Sequence, residues 1–263
     1  MRQILGLVMV VILVIGYGMQ DAGYEIPEEI VIVKAPSKEP RNPYQEEYEK
    51  LLYPTVKITA GYSTGSGVIF ETTDKPPRNN RDFAAASQIT QIITAAHVVE
   101  NQSVVDIELY NAETVTGTVV ITDTDKDLAL LRINRDCFAN ARNDIIVYSA
   151  RLAPGNYTYY LFTPVYAVGC SLGLSPRPSS GILSALSPTG GSSSASVVEI
   201  SAPVLPGNSG GPVYDARTYE VIGIAVWVKV CQGQLVTTMA GIVPINQIYE
   251  FLDSHRGTEV TGK

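Results

Sequence analysis

The sequence has few residues of the kinds that bind metal ions or nucleic acids. It contains three cysteines and two histidines among 263 residues, and they are scattered without the spacing that zinc ligands require. The formal net charge is -7, and the 19 lysines and arginines form no basic cluster. This charge pattern excludes nucleic acids and anionic membrane surfaces as expected partners. We therefore predict no metal site and no cofactor.

Long apolar segments are also scarce. Residues 4–15 form an apolar run after Arg2, but a transmembrane helix needs about 20 apolar residues. The length and flanks of the run are those of a secretory signal peptide. We predict that residues 1–22 are a signal peptide and that the protein is exported, to the periplasm or the extracellular space. An uncleaved membrane tether through residues 4–15 is the alternative.

Cysteine is too rare for a disulfide-dense scaffold. Cys137, Cys170 and Cys231 are an odd set, so one disulfide with one free thiol and three free thiols both remain open. None of the three lies in a glycine-rich turn that would expose a nucleophile. We therefore do not expect a cysteine protease.

The remaining chain is rich in short β-type segments separated by turn residues. Residues 23–50 are polar, acidic and interrupted by prolines, which predicts a linker, although residues 46–52 could form a short helix. Many strands at close spacing follow, without helical patterns between them, and this indicates an all-β barrel or sandwich. Residues 158–162 are among the predicted strands. Apolar residues at Ile245, Ile248, Phe251 and Leu252 predict one terminal amphipathic helix over 245–253.

One glycine-rich segment has the composition of a nucleophile loop. In Gly207-Asn-Ser-Gly-Gly-Pro212, glycines allow a sharp turn around Ser209 and leave backbone N–H groups uncovered. A serine nucleophile needs such N–H donors to stabilise the oxyanion that forms when it attacks a carbonyl. Gly207 and Ser209 are the predicted donors. A surface loop of the same composition is the alternative.

A serine nucleophile needs a base, and the chain has two histidines. His255 lies in the polar tail after the last apolar segment, where a solvated residue is expected. His97 follows an apolar strand-like run, and Ala95 and Ala96 allow close backbone approach. We therefore predict that His97 is the general base for Ser209.

The third expected group is a carboxylate that orients the imidazole. Asp127 is the candidate because it comes directly before the apolar run 128–133, whereas Asp123 and Asp125 are interpreted as solvated loop charges. The three aspartates also have the alternate spacing of a calcium loop. That interpretation fails, because such a loop needs glycine at Leu128 and glutamate at Asn134.

The three motifs together resemble the chymotrypsin-like serine proteases, and in particular their HtrA-type branch. Thr94-Ala-Ala-His97, Asp127-Leu-Ala-Leu-Leu131 and the Ser209 loop occur in that order, which is the order of this fold and not of subtilisin. Gly65-Ser-Gly-Val-Ile69 and Ser180-Gly-Ile-Leu-Ser-Ala185 also match. The resemblance covers residues 51–254 and implies two six-stranded antiparallel β-barrels with a C-terminal helix. The first barrel would span about 51–140 and the second about 150–244, followed by a tail over 255–263.

The resemblance also implies how a peptide substrate would bind. Val226 and Val228 would contact the substrate backbone, and Trp227 would form a pocket wall. The alternative is that this run is only a core strand and Trp227 a core aromatic. Pro203 stands where trypsin-like members have a pocket-base acid, and Val228 stands where many have glycine. Small or medium apolar residues are therefore expected before the scissile bond, because a buried cationic side chain would lack a partner charge.

Two departures from the wider family affect regulation. Asn208 replaces the aspartate that pairs with a newly cut N-terminus in zymogens, so activation by that ion pair is not expected. The chain ends soon after the predicted terminal helix, so the PDZ domain of HtrA-type proteins is not expected either. The predicted function is that of a serine endopeptidase. The alternatives are a catalytically silent peptide-binding module and a viral or self-processing protease of the same fold.

Overall fold

The structure is a computed structural model that describes residues 42–70, 89–134, 147–187 and 197–255. The predicted signal peptide, most of the predicted linker and Cys137 lie outside these ranges. Among the residues that are described, no helix is both long and apolar enough to cross a membrane.

Six antiparallel strands form the first closed barrel, in the order β1-β2-β3-β6-β5-β4. Alternation of apolar and polar residues produces these strands, as in β4, where Val105 and Ile107 are buried and Asp106 is exposed. Ile58, Ile92 and Leu131 fill the barrel interior. The strand bounds are β1 Thr55–Ala60, β2 Ser63–Phe70, β3 Ile89–Thr94, β4 Val104–Glu108, β5 Thr114–Asp123 and β6 Leu128–Asn134.

The second barrel is also closed and six-stranded, in the order β10-β11-β12-β9-β8-β7. Its core includes Leu183, Ile200, Tyr214 and Ile222, all fully buried. The predicted all-β fold of two six-stranded barrels is therefore confirmed. The strand bounds are β7 Pro164–Gly169, β8 Arg177–Ser187, β9 Val197–Ile200, β10 Pro212–Asp215, β11 Val221–Cys231 and β12 Gln234–Pro244.

A terminal helix, α2, packs against the second barrel. It spans Ile245–His255 and buries Ile245, Ile248 and Phe251. These three residues lie on one face at helical spacing, so burial of apolar surface stabilises the helix against β11 and β12.

A short helical segment precedes the first barrel but contacts the second. It consists of α1 (Gln45–Glu47) and a π-helical turn (Tyr48–Leu52). Leu51 is buried, and its carbonyl oxygen accepts hydrogen bonds from Thr55 Oγ1 at 2.8 Å and from the Tyr214 hydroxyl at 3.3 Å. The predicted linker over 23–50 therefore does not extend to residue 50, because residues 45–50 are helical.

The predicted strand at 158–162 is wrong, since this segment forms a loop and a turn. Phe162 has a φ of 69°, a left-handed conformation that an extended strand excludes. The Tyr159 hydroxyl donates to Ile222 O and accepts from Ile245 N–H. Tyr159 thus anchors a loop through its hydroxyl group, which the sequence pattern does not distinguish from a strand.

Candidate active site

His97 is presented by a single turn at the end of β3. The strand ends at Thr94, and a 3₁₀ turn spans Ala96–Val98. Ala96 and Val98 on either side of His97 are buried, so His97 faces outward. The His97 side chain is 45% exposed, which leaves the imidazole accessible to a substrate.

Asp127 contacts His97 at two points. Its Oδ2 lies 2.7 Å from His97 Nδ1, and its Oδ1 accepts the His97 backbone N–H at 3.0 Å. Asp127 has a φ of 55° at the turn between β5 and β6, a left-handed conformation that aspartate tolerates better than most residues. The two contacts fix the orientation of the ring and place a hydrogen on Nδ1.

The other two aspartates of this turn do not reach the imidazole. Asp123 Oδ1 accepts the backbone N–H groups of Asp125 at 3.0 Å and Lys126 at 2.9 Å. Asp123 is therefore part of the turn, whereas the sequence had suggested a freely solvated charge. Asp125 is exposed, in agreement with the sequence interpretation. No cluster of potential metal ligands occurs in the described ranges.

The pKa of His97 is raised above its ordinary value of 6.5. The hydrogen bond to Asp127 is the largest cause. Burial acts in the opposite direction, and the charges of Asp127 and Glu100 add to the increase. This environment stabilises the imidazolium that forms when His97 takes a proton, which is the task of a general base paired with a carboxylate.

The Ser209 loop belongs to the second barrel and lies directly against the His97 turn. A side chain on Gly210 would come within 2.9 Å of Ala95 N. Ser209 O accepts the Ser66 N–H of the first barrel at 2.8 Å, and Gly210 N–H donates to Ala225 O at 2.7 Å. Within the described ranges no hydrogen bond joins Ser209 Oγ to His97. Such bonds are often loose without substrate and tighten in the reacting complex.

The backbone of this loop is fixed mainly through its carbonyl groups. Pro206 O accepts from Leu172 N–H at 2.7 Å, and Asn208 O accepts from Gly211 N–H at 2.9 Å. Because C=O and N–H point in opposite directions in a trans peptide, these bonds direct the N–H groups of Gly207 and Ser209 to the other side. Among the described residues, these two N–H groups donate no hydrogen bond. The arrangement can therefore accept a developing oxyanion.

Gly207 needs its glycine for both conformation and space. Its φ is 95°, and a side chain there would overlap the Cys170 carbonyl oxygen. The neighbouring Asn208 is buried, and its Oδ1 accepts the Ser171 hydroxyl at 2.6 Å. A serine hydroxyl thus contacts the position where zymogen-type relatives have an aspartate.

The predicted substrate-binding residues lie on an open strand edge. Within the described ranges, β11 pairs with β10 as far as Ile224, and beyond that residues 227–231 pair with β12 alone. Trp227 is 38% exposed, and its indole ring occupies the space that a side chain on Gly241 of β12 would need. Val226 and Val228 are half-buried. Trp227 is therefore a surface aromatic at this edge and not a core residue.

Both described cysteines are free thiols. Cys170 is buried, and burial raises the pKa of its thiol to about 11, so it is protonated at neutral pH. Cys231 is exposed on β11. No disulfide therefore joins Cys170 to Cys231.

Sequence reasoning missed two residues that contact the Ser209 loop. Ser66 and Ser171 both donate side-chain hydrogen bonds to it, from positions 141 and 37 residues away in the chain. Ser66 was visible only as the middle of the Gly65-Ser-Gly motif. Ser171 follows Cys170 in a segment with no feature that would have identified it.

The chain has two closed six-stranded barrels, and a His–Asp pair lies on the first and a serine loop on the second. This combination defines the class of two-barrel serine proteases. A family model described as a trypsin-like peptidase domain matches residues 55–224. The chain belongs to the trypsin-like peptidase family. The matched region includes His97, Asp127 and Ser209 and ends before Val226.

Curated relatives with related sequences are named Do-like serine proteases. The chain is 32% identical to HtrA of Bacillus subtilis over 169 residues, which are 61% of this chain and 32% of the relative. It is 30% identical to HtrA of Lactobacillus helveticus over 195 residues, which are 71% of this chain and 41% of the relative. The chain thus spans less than half the length of these relatives.

Solved structures with the same fold include HtrA-type proteases. The structure described as HtrA-type protease AlgW with tripeptide has a TM-score of 0.64 and 20% identity, covering 82% of this chain and 64% of that one. A serine endoprotease from Yersinia pestis has a TM-score of 0.59 and 21% identity, covering 80% of this chain and 65% of that one. These comparisons establish the fold.

Proposed function

We propose that this chain is a serine endopeptidase that cleaves peptide bonds through an acyl-enzyme. The main support is the two-point contact between Asp127 and His97, beside a loop in which the N–H groups of Gly207 and Ser209 have no partner among the residues that the structure describes. A hydroxyl, an oriented base and two oxyanion donors are the groups that this reaction needs.

The reaction begins when Ser209 Oγ attacks the carbonyl carbon of the scissile bond. His97 Nε2 takes the hydroxyl proton, while Asp127 accepts the Nδ1 hydrogen and stabilises the imidazolium. The N–H groups of Gly207 and Ser209 bind the oxyanion. When the tetrahedral intermediate collapses, the C–N bond breaks and the leaving amine takes the proton from His97. Water then repeats the sequence on the acyl-enzyme, which releases the carboxylic acid and regenerates Ser209.

The open edge of β11 gives the substrate a place to bind as an additional strand. Extended peptides bind unpaired strand edges through backbone hydrogen bonds, with alternate side chains entering pockets. Residues 226–228 lie just beyond the Ala225 carbonyl that accepts the Gly210 N–H at 2.7 Å. A peptide paired with Val226 and Val228 would therefore run toward Ser209. The partner is accordingly a protein or peptide, consistent with the tripeptide in the structural relative AlgW.

The pocket before the scissile bond would favour small or medium apolar side chains such as those of alanine and valine. Pro203 and Val228 occupy the positions that provide an acid and often a glycine in trypsin-like relatives. The side chain of Pro203 is uncharged, so this position offers no negative charge to a substrate. Burial of a lysine or arginine without a counter-charge is costly.

The enzyme would act outside the cytoplasm. This proposal comes from the apolar run 4–15 and its flanks, which fit a signal peptide.

A fluorophosphonate probe tests the central proposal on the purified full-length chain. The probe should label the wild type and fail to label Ser209→Ala. His97→Ala should lower kcat by roughly 10⁶, judging from another serine protease, whereas His255→Ala is a matched control that should retain wild-type activity. Absence of both labelling and peptide hydrolysis in the folded wild type would contradict the proposal and favour a silent peptide-binding module.

Cleavage-site profiling tests the specificity. A peptide library digested by the wild type should yield cuts after small or medium apolar residues, and none of these cuts should appear with Ser209→Ala. A clear preference for lysine or arginine before the cut would contradict the pocket assignment but not the enzyme class.

A further inference from the structure

Ser66 of β2 donates two hydrogen bonds to the loop that carries the nucleophile. Its backbone N–H donates to Ser209 O at 2.8 Å, and its hydroxyl donates to Gly207 O at 2.6 Å. The same hydroxyl accepts the Cys170 N–H at 2.8 Å. Ser66 is fully buried, so water does not compete for these bonds. One residue of the first barrel thus contacts both ends of the segment 207–209.

Ser66 is itself fixed in place by its neighbours. Its carbonyl oxygen accepts the Thr94 hydroxyl at 2.6 Å, and Thr94 lies three residues before His97. Its side chain lies against glycines of the second barrel: side chains on Gly169 and Gly211 would come within 3.0 Å of Ser66 Oγ and 3.2 Å of Ser66 Cβ. The hydroxyl therefore has little freedom to find other partners.

The two peptide planes on either side of Gly207 are fixed by different residues. The preceding plane is held by the bond from Leu172 N–H to Pro206 O at 2.7 Å. The following plane is held by the Ser66 hydroxyl on Gly207 O and by the bond from Asn208 N–H to Leu205 O at 3.0 Å. Glycine imposes little conformational preference of its own, so these bonds determine the direction of the Gly207 N–H.

We propose that Ser66 is a positioning residue for catalysis: its hydroxyl, held between Cys170 N–H and Gly207 O, fixes the peptide plane that follows Gly207. This keeps residue 207 in the conformation in which the Leu172 bond to Pro206 O directs the Gly207 N–H at the oxyanion. This inference rests on the proposed function, because it assigns a role in the same reaction. Ser66 does not touch the reacting atoms and acts through the backbone of residue 207.

Removal of the hydroxyl has two consequences. In Ser66→Ala, the buried Cys170 N–H and the partly buried Gly207 O both lose a hydrogen-bond partner, and polar groups left without partners are unfavourable when buried. The peptide plane after Gly207 can then rotate to find a new partner, which changes the backbone angles of residue 207 and moves its N–H away from the oxyanion. Loss of one oxyanion donor lowers kcat by about 10²–10³, so partial loss of its alignment should lower kcat by roughly 10- to 100-fold.

A kinetic comparison distinguishes this role from general stabilisation. The full-length wild type and Ser66→Ala are compared for kcat and KM on a fluorogenic peptide, and for affinity toward a peptide aldehyde that forms an oxyanion on Ser209. We expect kcat and aldehyde affinity to fall together, with KM within about threefold of wild type, because substrate binding on β11 does not depend on the oxyanion donors. Thr55→Ala is the matched control. It removes another buried hydroxyl, which donates to Leu51 O at 2.8 Å, and should leave both quantities unchanged.

A second variant provides the measurement if Ser66→Ala does not fold. Ser66→Cys keeps a side chain of similar shape but donates a weaker hydrogen bond, so it should show the same pattern at smaller size. An active wild type whose kcat and aldehyde affinity are unaltered in the folded variant would overturn the positioning role alone. Equal losses in Thr55→Ala would also overturn it. An inactive wild type would overturn the proposed function and this inference together.

Discussion

Substitution of Gly207 by alanine provides a sharp test of the loop geometry. At a φ of 95°, alanine is strained by roughly 1–2 kcal/mol. Its methyl group would also overlap the Cys170 carbonyl oxygen, a backbone atom that cannot rotate away. The loop must shift to relieve the overlap, and the Gly207 N–H then moves with it. We expect kcat to fall by about 10²–10³, the effect of losing one oxyanion donor.

Gly233→Ala is a matched control for this substitution. Gly233 also has a positive φ, 78°, but it lies at the tip of the β11–β12 hairpin and a side chain there would meet nothing within 4 Å. Both variants therefore incur the backbone strain, and only Gly207→Ala incurs the overlap. Thermal unfolding should show similar losses of stability from strain, of about 1–2 kcal/mol, with any further loss at Gly207 attributable to the overlap.

The assay is steady-state hydrolysis of a fluorogenic peptide with alanine or valine before the scissile bond. Gly233→Ala should retain wild-type kcat. The reasoning would be refuted if Gly207→Ala kept more than about a third of the wild-type kcat, since a displaced donor costs far more than that. It would also be refuted by equal losses in the two variants.

Three further predictions concern the general base, a charged neighbour of the base and the substrate edge. Asp127→Asn removes the group that contributes most to the raised pKa of His97. Since a general base must be neutral, activity rises as pH increases through this pKa, and the acid limb of kcat/KM should move to lower pH in the variant, with kcat reduced by about 10⁴ as in another triad. Glu100→Gln should shift the limb in the same direction by less, with kcat near wild type, because Glu100 acts on His97 only through its charge. Gly241→Ala places a methyl group where the Trp227 indole lies and should change the fluorescence of this single tryptophan and raise KM more than it lowers kcat.

Asp125→Asn is the control for Asp127→Asn. It removes an exposed carboxylate of the same turn and should leave the pH profile unchanged. A shift equal to that of Asp127→Asn would argue against a specific contact between Asp127 and His97. An acid limb that moved to higher pH in Asp127→Asn would contradict the sign of the pKa shift. For Gly241→Ala, unaltered fluorescence and KM would show that Trp227 does not depend on this glycine.

The sequence alone was enough to predict site residues whose position depends on a local turn. His97 and Asp127 were predicted because each directly borders an apolar strand, and burial of that strand determines where the neighbouring residue reaches the surface. The preference for Asp127 over Asp123 agrees with the contacts, although Asp123 has a structural task in the turn. The two-barrel fold came from the resemblance, since strand spacing alone did not distinguish a barrel from a sandwich.

Contacts between segments distant in the chain could not be predicted. Ser66 donates to Gly207 O across 141 residues, and no local pattern records such a pairing. The segment 158–162 was predicted to be a strand, and its aromatic residues do have high β propensity, but the Tyr159 hydroxyl makes tertiary contacts within a loop. The helix at 45–52 was underestimated for a similar reason, because Leu51 is buried in a core that includes the distant residue Tyr214.

That helix has a consequence for how the molecule is assembled. The residues that receive it, Tyr214 and Tyr219, are synthesised 163 and 172 residues after Leu51 and Glu47. During translation the first barrel can close well before the helix has a surface to dock on. Docking of the helix therefore has to wait for the second barrel, and once docked the helix joins the start of β1 to that barrel.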